Sequence, residues 1–134
     1  GVPFLGGAMR ALGCIPVHRE NLRAAGGMLA AAVDALRSGR SIVAFPEGTW
    51  SLGEELLSFH RGAFLLAVRA RVPIVPVGLE GVQRLLPASG RRLRPGAVAV
   101  RFGRAIPSDR CSVSGLPGVI AEVRTAIERL RRPP

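Results

Sequence analysis

Short apolar runs alternate along this chain with longer stretches whose apolar residues recur at helical spacing, and this alternation limits the folds open to it. Residues 14–17 and 41–45 are apolar runs suited to buried strands. Residues 72–77 form a β-branched run broken by Pro73 and Pro76. Proline cannot donate to a ladder, so this strand should lie near an edge or pair irregularly. Residues 97–102 alternate and predict a further strand. The stretch 2–12 is apolar apart from Arg10 and reads as a short buried or interfacial helix ended by Gly13. Asn21 is a fitting N-cap for a helix carrying Leu22, Ala25, Leu29, Ala32, Val33 and Leu36 on one face, with Gly39 as its stop. Residues 61–69 are helical by pattern, and 85–96 read as a basic loop. Pro117 opens a final helix with Val119, Ile120, Val123, Ile127 and Leu130 on one face and arginines on the other. The order is helix, strand, helix, strand, helix, strand, strand, helix. It predicts an α/β fold: a mostly parallel or mixed sheet flanked by helices, in one domain over residues 1–134.

Charge narrows the chemistry. The 134 residues carry 19 basic and 9 acidic side chains, a net +10, and every basic residue is arginine. Without lysine, neither a P-loop ATPase nor Schiff-base catalysis is available. Two cysteines are too few for a disulfide scaffold or a Cys-rich zinc module. A hydrophobic content of 48% is too high for a disordered basic tail. The longest uncharged stretch, 111–121, is far below the roughly 18 apolar residues that a membrane span requires. A positive surface attracts nucleic acid, anionic membrane or acidic metabolites. The cluster Arg91, Arg92 and Arg94 has no interleaved aromatic on which bases could stack, which favours a solvated loop, or one touching anionic headgroups, over nucleic acid.

Ligands of open α/β sheets sit outside the carboxyl ends of the strands. Two segments run into loops there: Val17-His18-Arg19 and Phe45-Pro46-Glu47-Gly48-Thr49-Trp50-Ser51. In the second, Glu47 can accept a bond from a substrate hydroxyl, and Gly48 lets backbone N–H groups approach an oxyanion. The alternative for this segment is a plain turn with Glu47 solvated. Arg19 and Arg61 are the arginines best placed for phosphate, the first at a strand end and the second before Gly62 at a helix start. His18 and His60 are the two imidazoles, and both read as ordinary loop histidines. Cys14 and Cys111 read as reduced structural thiols, and no metal-ligand spacing is present.

These segments, taken together, resemble the 1-acylglycerol-3-phosphate acyltransferase family of glycerolipid synthesis. The family's Phe-Pro-Glu-Gly-Thr-Arg-Ser block is similar to residues 45–51, with Trp50 where arginine is common. Its Gly-x-Ile-x-Val-x-Arg pattern is met by Gly13, Ile15, Val17 and Arg19, and its Val-Pro-Ile-Val-Pro-Val block by residues 72–77. Phe59-His60-Arg61-Gly62-Ala63 resembles its Phe-basic-basic-Gly segment. Further likeness lies in Leu86-Pro87, in Arg94-Pro95-Gly96, and in Val98, Val100 and Gly103. The family's His-x4-Asp block is not found: Arg23 and Leu65 stand where the aspartate would follow His18 and His60. The resemblance therefore implies that this block, with the catalytic base, precedes Gly1, and that the 134 residues alone are inactive.

What the resemblance implies is a glycerol-3-phosphate acyltransferase-like fold and direct acyl transfer. The histidine of the upstream block would take a proton from a glycerol hydroxyl attacking an acyl thioester. Glu47, Gly48 and Thr49 would shape the acceptor pocket, with Arg19 and Arg61 on its phosphate. Residues 2–12 and 72–77 would lie near the acyl chain. The donor would be acyl-CoA or acyl carrier protein, both acidic, and the acceptor a lysophospholipid. No cofactor or metal is implied. The implied location is the cytoplasmic face of a membrane, peripheral or anchored by an upstream segment. A non-catalytic binder of anionic membrane is the rival reading.

Overall fold

The structure is a computed structural model that describes residues 13, 22–49, 55–85, 94–108 and 111–131. The chain divides into two compact units, residues 1–41 and 42–134.

In the first unit, helix α1 spans Leu22–Arg37. Ala32, Val33 and Ala35 are buried, with Leu36 half-buried beside them. Ala32, Val33 and Leu36 belong to the face expected from the spacing, and Ala35 adds to it. Arg37 lies in the last turn, where a positive charge complements the helix dipole. The chain then leaves the helix through Ser38 and Gly39. Ser38 donates its N–H to Asp34 O (3.0 Å) and its hydroxyl to Ala35 O (2.8 Å), while Gly39 N–H reaches Leu36 O (3.1 Å). Gly39 is therefore the stop that the sequence suggests. The helix expected over 2–12, the strand over 14–17 and the Asn21 cap lie outside the described residues.

The second unit corrects one expectation. Residues 41–45 are not a buried strand: they are irregular, with Val43 84% and Phe45 72% exposed. A β-branched run becomes a strand only when a neighbouring backbone takes up its ladder bonds. Among the described residues no strand runs beside it.

Helix α2, Gly62–Ala70, buries Phe64, Ala67, Val68 and Ala70. It ends at Arg71, which takes a left-handed conformation (φ 57°) to bring its N–H to Val68 O at 3.2 Å. The proline-broken run follows. Between Pro73 and Pro76 the pairing is a single bridge, in which Ile74 and Ile106 exchange both backbone bonds (2.9 and 2.8 Å), and the Pro76 carbonyl then accepts Gly103 N–H at 2.8 Å. Past the second proline the ladder becomes regular. Strand β1, Val77–Glu80, pairs antiparallel with β2, Ala99–Phe102, in the register Val77↔Phe102 and Leu79↔Val100. The described sheet is thus an antiparallel pair rather than a parallel one. Between the strands stand a short helix α3, Val82–Leu85, and an excursion closed by Arg94 N–H on Leu85 O (2.8 Å). Residues 86–93 of the expected basic loop lie outside the described residues.

A 3-10 turn, Val113–Gly115, leads into helix α4, Leu116–Arg131; the hydroxyl of Ser112 caps the turn by accepting Gly115 N–H at 3.3 Å. The helix thus begins one residue before Pro117. It lies on one face of the two-stranded sheet. Gly78 makes that approach possible: a Cβ there would sit 2.6 Å from Leu130 Cβ and 2.9 Å from its carbonyl carbon. The core forms where α4 meets α2, from Phe64, Val68, Ile106, Leu116, Val119 and Val123. Phe59, Ile74, Ile120 and Ile127 pack around it. The buried Ser108 hydroxyl lies within hydrogen-bonding reach of Ala67 O and Val72 O, fastening the end of α2 to the chain after the bridge. Glu80 pairs with Arg101 at 2.7 Å, and Arg101 also reaches Leu130 O at 3.2 Å.

Candidate functional site

The segment singled out by sequence, Phe45-Pro46-Glu47-Gly48-Thr49, forms a tight turn. Gly48 N–H donates to Phe45 O (3.1 Å), and Gly48 takes a positive φ of 66° that a larger residue would resist. A second segment, residues 56–60, runs alongside it as an irregular strap. His60 N–H donates to Pro46 O at 2.8 Å, and Leu57 N–H donates to Glu47 Oε2 at 2.8 Å. One carboxylate oxygen of Glu47 therefore serves the backbone ten residues further on. The expectation of a solvated or purely substrate-facing carboxylate needs amending to that extent.

The strap leads directly into α2. Arg61 is the N-cap residue of that helix, with helical backbone angles and no side-chain cap bond, and it is exposed. The two bonds across the turn thus join Pro46 and Glu47 to the backbone of His60 and Leu57, with Arg61 next along the chain. The turn thus presents a half-buried carboxylate, a positive-φ glycine and an exposed hydroxyl, and the strap leads to an exposed arginine at a helix start. His60 is exposed, in keeping with a loop histidine. Arg19 lies outside the described residues, as do Trp50 and Ser51.

One residue of this arrangement escaped the sequence reading. Arg124 was expected on the solvent face of the final helix. Its guanidinium instead donates from Nη1 to Leu57 O and from Nη2 to Leu56 O, both at 2.6 Å. It also lies 5.4 Å from the centre of the Phe59 ring and pairs through Nε with Glu128 at 3.0 Å. Phe59 in turn stacks on Phe64, with ring centres 6.1 Å apart. The only local signal was the Arg124–Glu128 spacing of a helical ion pair, which carries no information about a strap 67 residues away.

Among the described residues, no three His, Cys, Asp or Glu side chains group as a metal site, and no helix is long and apolar enough to cross a membrane. Cys111 is a free, half-buried thiol packed against the core.

Residues 1–80 match the family model described as Acyltransferase. The chain belongs to the acyltransferase family. The match takes in the Gly13–Arg19 pattern, the 45–51 block and the 72–77 block. The chain is 33% identical over 129 residues to the 1-acyl-sn-glycerol-3-phosphate acyltransferase of Escherichia coli, covering 96% of this chain and 52% of that protein. It is 33% identical over 113 residues to a chloroplastic 1-acyl-sn-glycerol-3-phosphate acyltransferase of Arabidopsis thaliana, covering 84% of this chain and 32% of that one. The crystal structure of the 1-acyl-sn-glycerophosphate acyltransferase PlsC from Thermotoga maritima superposes with a TM-score of 0.73 at 28% identity, over 96% of this chain and 52% of that one. The chain therefore spans between a third and about half the length of these relatives. The α/β acyltransferase fold expected from the sequence is the one observed.

Proposed function

We propose that the protein carrying this chain transfers a fatty acyl group from acyl-CoA or acyl carrier protein to the free hydroxyl of 1-acylglycerol-3-phosphate, in phospholipid synthesis. The observation that carries this reading is the junction of the Phe45–Thr49 turn with the strap, through Leu57 N–H on Glu47 and His60 N–H on Pro46. It ties the turn that would shape the acceptor pocket to the strap that leads into Arg61. Relatives named for this same reaction support it.

In this reading Arg61, with Arg19, holds the acceptor phosphate, while Glu47, Gly48 and Thr49 orient the glycerol backbone. The general base is the histidine of a His-x4-Asp block expected upstream of Gly1. It takes the hydroxyl proton as the oxygen attacks the thioester carbonyl, and the thiolate then leaves the tetrahedral intermediate. The acidic donor suits a chain of net charge +10. The reaction runs at the cytoplasmic face of a membrane.

The test is release of CoA from acyl-CoA in the presence of lysophosphatidate. A protein extended upstream to include the His-x4-Asp block should turn over, and the 134-residue chain should not. Robust turnover by the 134 residues alone would overturn the assigned base.

A second reading, peripheral binding to anionic membrane without catalysis, draws on the apolar sheet face. Val100 is 51% and Phe102 71% exposed on this strongly basic chain. Co-sedimentation with liposomes should then require anionic lipid and weaken with salt.

A further inference from the structure

We infer that Arg124 is a positioning residue, which locks the 56–60 strap to the final helix and thereby holds Glu47 and Arg61 in their working arrangement. The inference rests on the proposed acceptor site for its consequence but not for its geometry.

The strap has no strand or helix of its own. Its backbone must therefore be held by other groups. Glu47 takes the Leu57 N–H on one side, and on the other Arg124 takes the carbonyls of Leu56 and Leu57. Leu57 is thus gripped at both its N–H and its C=O by two charged side chains from segments far apart in sequence. Both guanidinium bonds are short and charge-assisted, and the planar fork sets their direction as well as their strength. The side chain of Arg124 is 35% exposed, so its contacts are only partly screened by water. Glu128 holds the guanidinium from the far side at 3.0 Å, and the Phe59 ring lies beneath it. Arg124 occupies α4 between Val123 and Ile127, which pack in and around the core, so its base cannot drift. The rigidity of the core is in this way passed to an otherwise irregular segment. The strap ends at His60, whose N–H holds Pro46, and continues into Arg61. Loosening Leu57 would release Glu47 and shift Arg61 together.

Two measurements on the 134-residue chain test this. The first is amide hydrogen exchange at Leu57 and His60, which requires no ligand. In Arg124→Ala these amides should exchange about tenfold faster than in the wild type, as expected for losing charge-assisted bonds to an exposed segment. Arg124→Lys, which keeps the charge but not the fork, should recover part of the protection. Ser108→Ala serves as the control, since it weakens packing between α2 and the bridge without touching the strap. It should lower the melting temperature and leave the two amides unchanged. Equal exchange in Arg124→Ala and the wild type would overturn the inference, as would equal loosening by Ser108→Ala.

The second measurement is titration with short-chain lysophosphatidate, read by the fluorescence of Trp50, the sole tryptophan and the neighbour of Thr49. Affinity should fall about tenfold in Arg124→Ala at temperatures where both proteins are fully folded. Binding by the wild type that Arg124→Ala leaves unaltered would overturn the positioning role. No binding by the wild type would overturn the acceptor assignment, and the exchange measurement would then decide the clamp by itself.

Discussion

The β1–β2 sheet with its covering helix and the turn with its strap lie in one compact unit but are held by different forces. The sheet is held by a backbone ladder and by close apolar packing, in which Gly78 meets Leu130. The strap is held by two charged side chains, Glu47 and Arg124, which take up backbone groups that no ladder satisfies. The first kind of region is most sensitive to changes in side-chain volume. The second should behave in the opposite way. Polar side-chain bonds to irregular backbone can be exchanged for bonds to water or a ligand at modest cost, which suits a binding segment. Close packing has no such substitute.

Substitutions at four positions probe this contrast. The largest loss is expected for Leu116→Ala. Leu116 is fully buried where the 3-10 turn enters the helix, and its truncation should cost about 3 kcal/mol in urea unfolding. A cost near zero would mean that the core is centred elsewhere. Gly78→Ala should follow at about 2 kcal/mol, because the new methyl meets both the Cβ and the backbone of Leu130. Exchange at the Leu57 amide should stay unchanged in native conditions; if it rises with the loss of stability, the two regions are one cooperative unit.

Glu47→Ala reverses the pattern. It should cost about 1 kcal/mol or less of global stability, since the bond it breaks is exposed, yet release the Leu57 amide locally. Glu47→Gln retains an acceptor oxygen and should preserve that protection, which a proton-exchange experiment can read directly. The smallest effect is expected at the C-cap of α2. Arg71→Gly relieves a left-handed backbone at φ 57° while adding unfolded-state entropy, for a net gain of about 0.5 kcal/mol in a melting experiment. A loss there would show that the Arg71 side chain contributes more than its backbone costs.

How legible these regions were in the sequence follows the same division. The final helix was evident from Val119, Val123 and Ile127, because burying one face of a helix imposes its own period on the residues. Of the two expectations for the proline-broken run, an edge strand or irregular pairing, the isolated bridge at Ile74 matches the second, since Pro73 and Pro76 remove donors wherever they sit. The turn at Glu47 was marked out by its block of residues. Residues 41–45 differ from expectation because a short apolar run fits a buried strand only where a neighbouring strand is there to pair with it. Arg124 was invisible for a related reason: one arginine among 19, it differs from the others only in what the fold places opposite it.

By itself, then, the sequence determined the family, the helical faces, the places where prolines interrupt pairing, and the block on which an acceptor site would be built. Each is a matter of local stereochemistry or of short ordered motifs. The tertiary structure alone decided that Glu47 serves the Leu57 amide, that the His60 amide holds Pro46, and that Arg124 crosses from the last helix to the carbonyls of Leu56 and Leu57. Those contacts join residues far apart along the chain, and a side chain's partner over such a distance is settled only when packing brings the two segments together.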